Sequence, residues 1–373
     1  MIVRAVHSQI ESRLFKGKAI LIFGPRQTGK STLAEAVLSG KDYLYLNGDD
    51  ADTASILTNT TAVKLRLAIG DKKIVFIDEA QRISTIGITL KIFTDQLKDV
   101  QVIATGSSAF ELSNKVNEPL TGRKYEFMLY PISFAEMVRH HGLIQEKRHL
   151  EHRMVYGYYP EIVTKPAQAK EHLKLLASSY LYKDLLMLEQ IRKPILLEKL
   201  LKALALQVGS EVSYQEIGQL IGSDGKTVDK YIHLLEQAFV VFRLPAFNRN
   251  VRNEIKKGQK VYFYDCGIRN AIINDFKSIP LRTDTGALWE NFLMAERMKV
   301  LRYRNLEAQR YFWRTSQQQE IDLIEESEGQ LSAFEFKWNA HAKVRFPQTF
   351  TYNYPTAATQ VLSPKNIEEF LLL

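Results

Sequence analysis

A single cysteine, Cys266, stands among 373 residues, so no intramolecular disulfide can form and the chain suits a reducing compartment. Long apolar runs are missing as well. None approaches the ~20 residues that a membrane-crossing helix needs, so no membrane contact is expected. The opening Met1-Ile-Val-Arg-Ala-Val-His7 lacks the apolar stretch of a secretory signal, and the expectation is a cytoplasmic protein. Repeats, low-complexity tracts and a long linker are also lacking, which predicts closely packed domains. What is present is ordinary globular material: 45% hydrophobic and 25% charged residues, enough to bury sizeable cores without staples. The length predicts two or three domains.

Charge is unevenly spread. Residues 243–314 carry 15 Lys+Arg against 7 Asp+Glu, which accounts for the whole net charge of +8. Such a segment fits a polyanion partner, DNA above all. It fits a solvated basic face without a partner equally well.

The most informative stretch comprises Gly24, Pro25, Arg26, Gln27, Thr28, Gly29, Lys30, Ser31 and Thr32. It satisfies the G-x-x-x-x-G-K-[ST] phosphate-loop pattern. The apolar run Ala19–Phe23 before it reads as a buried strand, and Ser31–Leu38 after it as a helix. Strand, glycine loop and helix aim backbone N–H groups and a helix dipole at a phosphate. Lys30 is expected to reach the terminal phosphates of ATP and Ser31 to hold Mg²⁺. Ile74-Val-Phe-Ile-Asp-Glu79 is a second apolar strand, ending in two carboxylates 48 residues after Lys30. Asp78 is expected to share the Mg²⁺ with Ser31, and Glu79 to act as general base on the attacking water. The next strand ends at Thr105 and Ser107, whose hydroxyls are candidates to reach the γ-phosphate or the water; ordinary turn residues are the alternative. Arg123 starts the last strand and is a candidate transition-state arginine in its own site or a neighbour's, or else a plain surface arginine.

Residues 1–140 therefore read as a parallel α/β P-loop ATPase domain, with strands at 19–23, 43–47, 74–78, 100–105 and 125–130 and a helix around 55–69. Residues 141–245 read as a helical region, with helices at 173–191 and 195–207. Its last part is a winged helix-turn-helix in which Ser213 and Glu216 make a capping box. The outer face of the helix 226–239 offers Lys226, Thr227, Lys230 and His233 but also Asp229, a poor electrostatic reader of DNA, so joining domains or binding protein is as good a reading.

Residues 246–373 read as a C-terminal α/β domain. Glu320-Ile-Asp-Leu-Ile324 and Phe334-Glu-Phe-Lys337 flank a turn and predict a β-hairpin. Alternation puts Glu335 and Lys337 on one face, with Asp322 able to join them. Two carboxylates and a lysine at this spacing suit metal-assisted phosphodiester hydrolysis with a second Mg²⁺ or Mn²⁺, and at least one of the carboxylates should then have a perturbed pKa. A salt-bridged exposed hairpin is the alternative.

The runs GPRQTGKST, IVFIDEAQ, ATGSSAFEL, LTGR with YPISFAE, and GYYPE resemble a family of prokaryotic AAA-type ATPases with a C-terminal domain of unknown function. Tyr264-Asp-Cys-Gly-Ile-Arg-Asn270 is similar to that domain's D-x-G-[LI]-x-N. The resemblance covers nearly the whole chain and implies a P-loop ATPase fold with a catalytic Glu beside the metal-binding Asp. The order Asp322…Glu335-x-Lys337, with Glu290 on an upstream helix, is similar to the restriction-endonuclease-like, or PD-(D/E)xK, fold; Gln348 and Tyr352 echo a Q-x-x-x-Y of some members. Ile321 stands where that fold usually has proline. Two functions follow: an ATPase coupled to a nuclease-like domain acting on or binding DNA, or a nucleotide-gated switch whose degenerate C-terminal domain binds a protein partner. A homo-oligomer is compatible with either.

Overall fold

The computed structural model describes residues 2–106, 120–178, 194–248 and 258–372. It divides into two compact units, Met1–Ile132 with Gln237–Phe239, and Ser133–Glu236 with Val240–Leu373.

The first unit is a five-stranded parallel sheet of β1 (Ala19–Phe23), β2 (Leu44–Asn47), β3 (Ile74–Asp78), β4 (Gln101–Gly106) and β5 (Lys124–Met128), in the order β2-β3-β4-β1-β5. β1, β3 and β4 are buried along their whole length, as a parallel sheet covered on both faces requires. The Lys30–Val37 helix buries Leu33, Ala34 and Val37, and the Ile86–Gln96 helix buries Leu90 and Phe93. The helix expected around 55–69 is two. Ala51–Leu57 and Ala62–Ile69 are separated at Asn59, whose φ of 49° breaks helical geometry, and Asp50 and Thr61 cap each start by accepting from Thr53 and Lys64 N–H.

The second unit begins with a complete capping box, Ser133 with Glu136, at the Phe134–His141 helix. The box expected at Ser213 is only half formed, its side chain accepting from Glu216 N–H. The helix Pro194–Leu206 precedes β6 (Glu211–Val212), then come helices Tyr214–Ile221 and Gly225–Gln237, β7 (Val241–Pro245) and β8 (Gln259–Phe263). These strands form an antiparallel sheet, β6-β8-β7. The expected helix 173–191 runs mostly outside the described residues; its start lies in the helix Ala169–Leu176.

The centre of this unit is the helix Thr285–Tyr303, buried on nearly every side. A helix enclosed all round must pair its charges internally. Arg297 does so by a two-pronged contact to Glu325 at 2.8 and 2.6 Å, and Lys299 reaches Glu296 at 2.6 Å. A four-stranded sheet follows, β12-β11-β10-β9, from β9 (Gln309–Arg314), β10 (Glu320–Ser327), β11 (Gln330–Phe336) and β12 (Ala358–Leu362). β9, β10 and β11 are antiparallel neighbours, and β12 joins β11 in parallel. The β10–β11 hairpin closes on Glu328 and Gly329, both left-handed (φ 50° and 78°), which keeps the strand twist intact.

Candidate functional site

Parallel strands bring their C-terminal ends to one edge, and the ends of β1, β3 and β4 build the first site there. The loop after β1 needs its glycines. A Cβ on Gly24 would lie 2.0 Å from the Leu129 carbonyl oxygen, and Gly29 takes φ 86° just before the Lys30–Val37 helix. Lys30 is buried and donates to the carbonyls of Gly24 (3.0 Å) and Pro25 (2.9 Å). Thr28 donates to Pro25 O at 2.7 Å.

Asp78, at the end of β3, is ringed by hydroxyls. Its Oδ2 accepts from Ser31 Oγ at 2.7 Å and Tyr45 Oη at 3.3 Å, and its Oδ1 accepts from Thr105 Oγ1. β4 lies between β1 and β3, so Thr105 sits between the two motif strands. Burial, followed by the charge and hydrogen bond of Asp78, raises the Tyr45 phenol above its ordinary value. A glycine cradle, a buried lysine and a hydroxyl-ringed carboxylate fit a nucleoside triphosphate with its divalent ion. Glu79 follows in a left-handed conformation (φ 49°, ψ 40°), and its Oε2 accepts from Gln81 Nε2.

Arg123 is not brought to this edge. Ala19 pairs with Lys124 at the start of two parallel strands, so Arg123 lies about 16 Å, or five strand residues, from the phosphate loop. It donates instead to Asp95 Oδ1 at 2.6 Å. Ser107 lies outside the described residues. Three contributors were missed in the sequence. Arg4 pins the loop through Thr28 O and Tyr130 O, both at 2.7 Å, and Tyr45 and Gln81 touch the two carboxylates. Arg4 carries no sequence signal, being 24 residues from Thr28; Tyr45 stands alone in a short strand; Gln81 is adjacent to the motif and was legible.

In the second unit Glu290, Asp322, Glu335 and Lys337 do gather. One step beyond the Leu323–Phe334 pairing, Asp322 falls opposite Glu335. Lys337 Nζ is 2.7 Å from Glu335 and 3.8 Å from Asp322, while Asp322 Oδ2 also accepts from Phe336 N–H at 2.7 Å. Glu290 accepts from Lys260 Nζ at 3.0 Å and Tyr262 Oη at 2.6 Å, and Lys260 also pairs with Glu320. Lys260, Tyr262 and Glu320 were not foreseen, although a lysine and a tyrosine at alternate positions of the apolar strand β8 are a signal of a shared polar face.

Burial drives the electrostatics. It pushes Glu290 up to about 7, opposed by Lys260 and aided by Asp322. Burial also raises Asp322, and burial with the neighbouring Asp322 charge raises Glu335. Burial disfavours the Lys337 charge, yet Asp322 and Glu335 hold its pKa above the ordinary lysine value. Lysines thus already compensate these acids, and among the described residues no three carboxylate, histidine or cysteine side chains stand together as a ligand set. Tyr352, on the helix Gln348–Asn353, is 86% exposed.

Part of the basic surplus is internal, while Lys277, Arg302, Arg304 and Arg314 are exposed. Lys260, Arg269, Arg282, Arg297 and Lys299 are buried, and Arg269 and Arg282 both pair with Asp284 at 2.5 and 2.8 Å. Arg243 pairs with Glu236 and Asp229, and Arg314 with Glu211. Arg249, Arg252, Lys256 and Lys257 lie outside the described residues.

The Asp265–Asn270 motif is a clamp. Asp265 accepts from Tyr158 N–H (2.7 Å) and Ile268 N–H (3.2 Å), Asn270 donates to Met154 O and Val155 O, and a Cβ on Gly267 would lie 2.2 Å from Tyr156 O. It joins the Gly157–Pro160 stretch to the helix Cys266–Ile272.

Residues 16–138 match the family described as an AAA domain, residues 147–278 a domain of unknown function (DUF8612), and residues 285–368 another (DUF4143). The first unit therefore has the fold of a P-loop nucleoside triphosphatase domain. The chain is similar to uncharacterized proteins of Mycobacterium bovis and Mycobacterium tuberculosis, each 26% identical over 345 residues, spanning 90% of this chain and 73% of theirs. An uncharacterized protein of Haemophilus influenzae is 25% identical over 281 residues, 68% of each chain. The Walker-type ATPase of Pyrococcus abyssi shares the fold, with a TM-score of 0.51 and 15% identity over 73% of this chain and 96% of that one. Among the described residues no helix is long and apolar enough to cross a membrane.

Proposed function

We propose that this chain hydrolyses ATP in its first unit and couples that turnover to a nuclease-like C-terminal domain that engages DNA. The observation that carries the ATPase reading is the Ser31–Asp78 hydrogen bond of 2.7 Å beside the phosphate loop. Lys30, having released the loop carbonyls, offsets the charge of the terminal phosphates. Ser31 and Asp78 would hold a Mg²⁺, which when bound would neutralise charge developing on those phosphates. Thr105 keeps Asp78 oriented, and Glu79 accepts the proton of the attacking water.

Two features support the DNA reading: the convergence of Asp322, Glu335, Lys337 and Glu290, and the helix, strand, helix, helix, strand, strand order of residues 194–263, which is that of a winged helix. A second reading has its own support. The lysine compensation of the acids and the burial of five basic side chains favour a nucleotide-gated switch that recognises a protein partner.

The test is ATP turnover by the full chain and by Glu79→Gln, with and without duplex DNA, beside a Mg²⁺- or Mn²⁺-dependent cleavage assay. Glu79→Gln should bind ATP and turn it over on the order of 100-fold more slowly; normal turnover would remove Glu79 from its role. DNA binding that weakens steeply with salt supports the first reading, and no binding at low salt supports the second.

A further inference from the structure

We infer that Gln81 is the positioning residue of the ATPase site, holding the Glu79 carboxylate in place; this rests on Glu79 being the general base. β3 ends at Asp78, and the chain turns at once. Glu79 takes a left-handed conformation that residues other than glycine seldom adopt, and it opens the tight turn Ala80–Arg82. That turn is closed by Arg82 N–H donating to Glu79 O at 3.0 Å. It brings Gln81 back over its neighbour, where Gln81 is buried, 3% exposed, and donates from Nε2 to Glu79 Oε2.

The backbone beneath is fixed from the adjoining loop. Gly48 N–H donates to Asp78 O at 2.8 Å, and a Cβ on Gly48 would lie 2.4 Å from Glu79 O. Arg82 is paired with Asp49 at 3.0 Å. The Glu79 side chain is therefore the movable part, and Gln81 removes that freedom by holding one oxygen.

A base must be aimed by a third group, and the chemistry of that group matters. An amide donor is neutral, so it fixes Oε2 while leaving Oε1 charged and able to take a proton from water. A lysine in its place would compensate the charge, as Lys337 does for Glu335. A misaimed base lowers the rate of the chemical step and leaves nucleotide binding alone.

The experiment compares the full chain with Gln81→Met, which keeps volume and loses the donor, and with Glu79→Gln and the double variant. Gln81→Met should lower kcat about tenfold while KM and the affinity for a fluorescent ATP analogue change less than about twofold. On the Glu79→Gln background it should cause no further fall, because its effect passes through the Glu79 carboxylate. In nucleotide-free protein labelled with 15N-glutamine, one side-chain amide should resonate downfield, disappear in Gln81→Met and return to the ordinary range in Glu79→Ala. An unchanged kcat in Gln81→Met, an additive fall in the double variant, or a Gln81 amide indifferent to Glu79→Ala would overturn the inference. Normal turnover by Glu79→Gln overturns the general-base reading itself, a distinct result.

Discussion

The two charged sites hold their acids in opposite ways. Asp78 is surrounded by hydroxyls from Ser31, Tyr45 and Thr105, which donate hydrogen bonds without cancelling its charge. Glu335, Asp322 and Glu290 face Lys337 and Lys260, which compensate theirs. The first arrangement leaves an anion that still attracts a cation. The second is closer to a closed ion-pair network, whose partners depend on one another for burial. Acidic residues near a lysine are therefore insufficient to define a metal site; what surrounds each carboxylate decides.

The contrast is broken most directly at the acids and their partners. Asp78→Asn or Lys30→Ala should reduce ATP turnover on the order of 100-fold or more, with the midpoint of thermal unfolding little moved. Retained turnover would mean that the hydroxyl-ringed site is not the catalytic one. Lys260→Met should do the reverse. It takes the amine from the mostly buried Glu290, which keeps Tyr262, and from the partly exposed Glu320, which keeps Arg314, and should cost about 3 kcal/mol in urea unfolding, with ATP turnover per folded molecule unchanged.

A third measurement uses pH. Glu290 is raised in the fold from 4.5 to about 7, so the folded state binds a proton more tightly than the unfolded state. Its contribution to stability is complete below about pH 4.5 and is lost as pH rises through about 7. Glu290→Gln, which cannot ionise, should become progressively more stable relative to the parent across that window, with Lys260, Tyr262 and Asp322 facing the site in both. A flat difference would show that Glu290 is not strained by burial. The smallest effect is expected at Arg123. Its contact with Asp95 is partly exposed, so Arg123→Ala should change stability by less than about 1 kcal/mol and leave turnover in dilute solution unchanged.

Much of the first unit was legible because its chemistry is contiguous. Ala19–Phe23 and Ile74–Asp78 are apolar runs bounded by motif residues, and both are strands with those bounds. Near residue 59 hydrophobic content masked a break set by the left-handed Asn59 and the cap at Thr61. The own-site role for Arg123 fails for a topological reason. A residue that starts a strand and one that follows a strand both lie at a sheet edge, but in a parallel sheet these are opposite edges. Charge counting left its two readings open, since composition records a lysine or arginine without recording whether a carboxylate lies beside it.

By itself, then, the sequence determined the phosphate loop, the Asp78–Glu79 pair, the parallel α/β core and the alternation that puts Glu335 and Lys337 on one face. These depend on neighbours along the chain, where periodicity and spacing act directly. Only the tertiary structure decided which donors ring Asp78 and that Lys260 and Tyr262 meet Glu290. Electrostatic environment falls off over a few ångströms in space, so residues dozens of positions apart set it, and no pattern along one strand or helix records their approach.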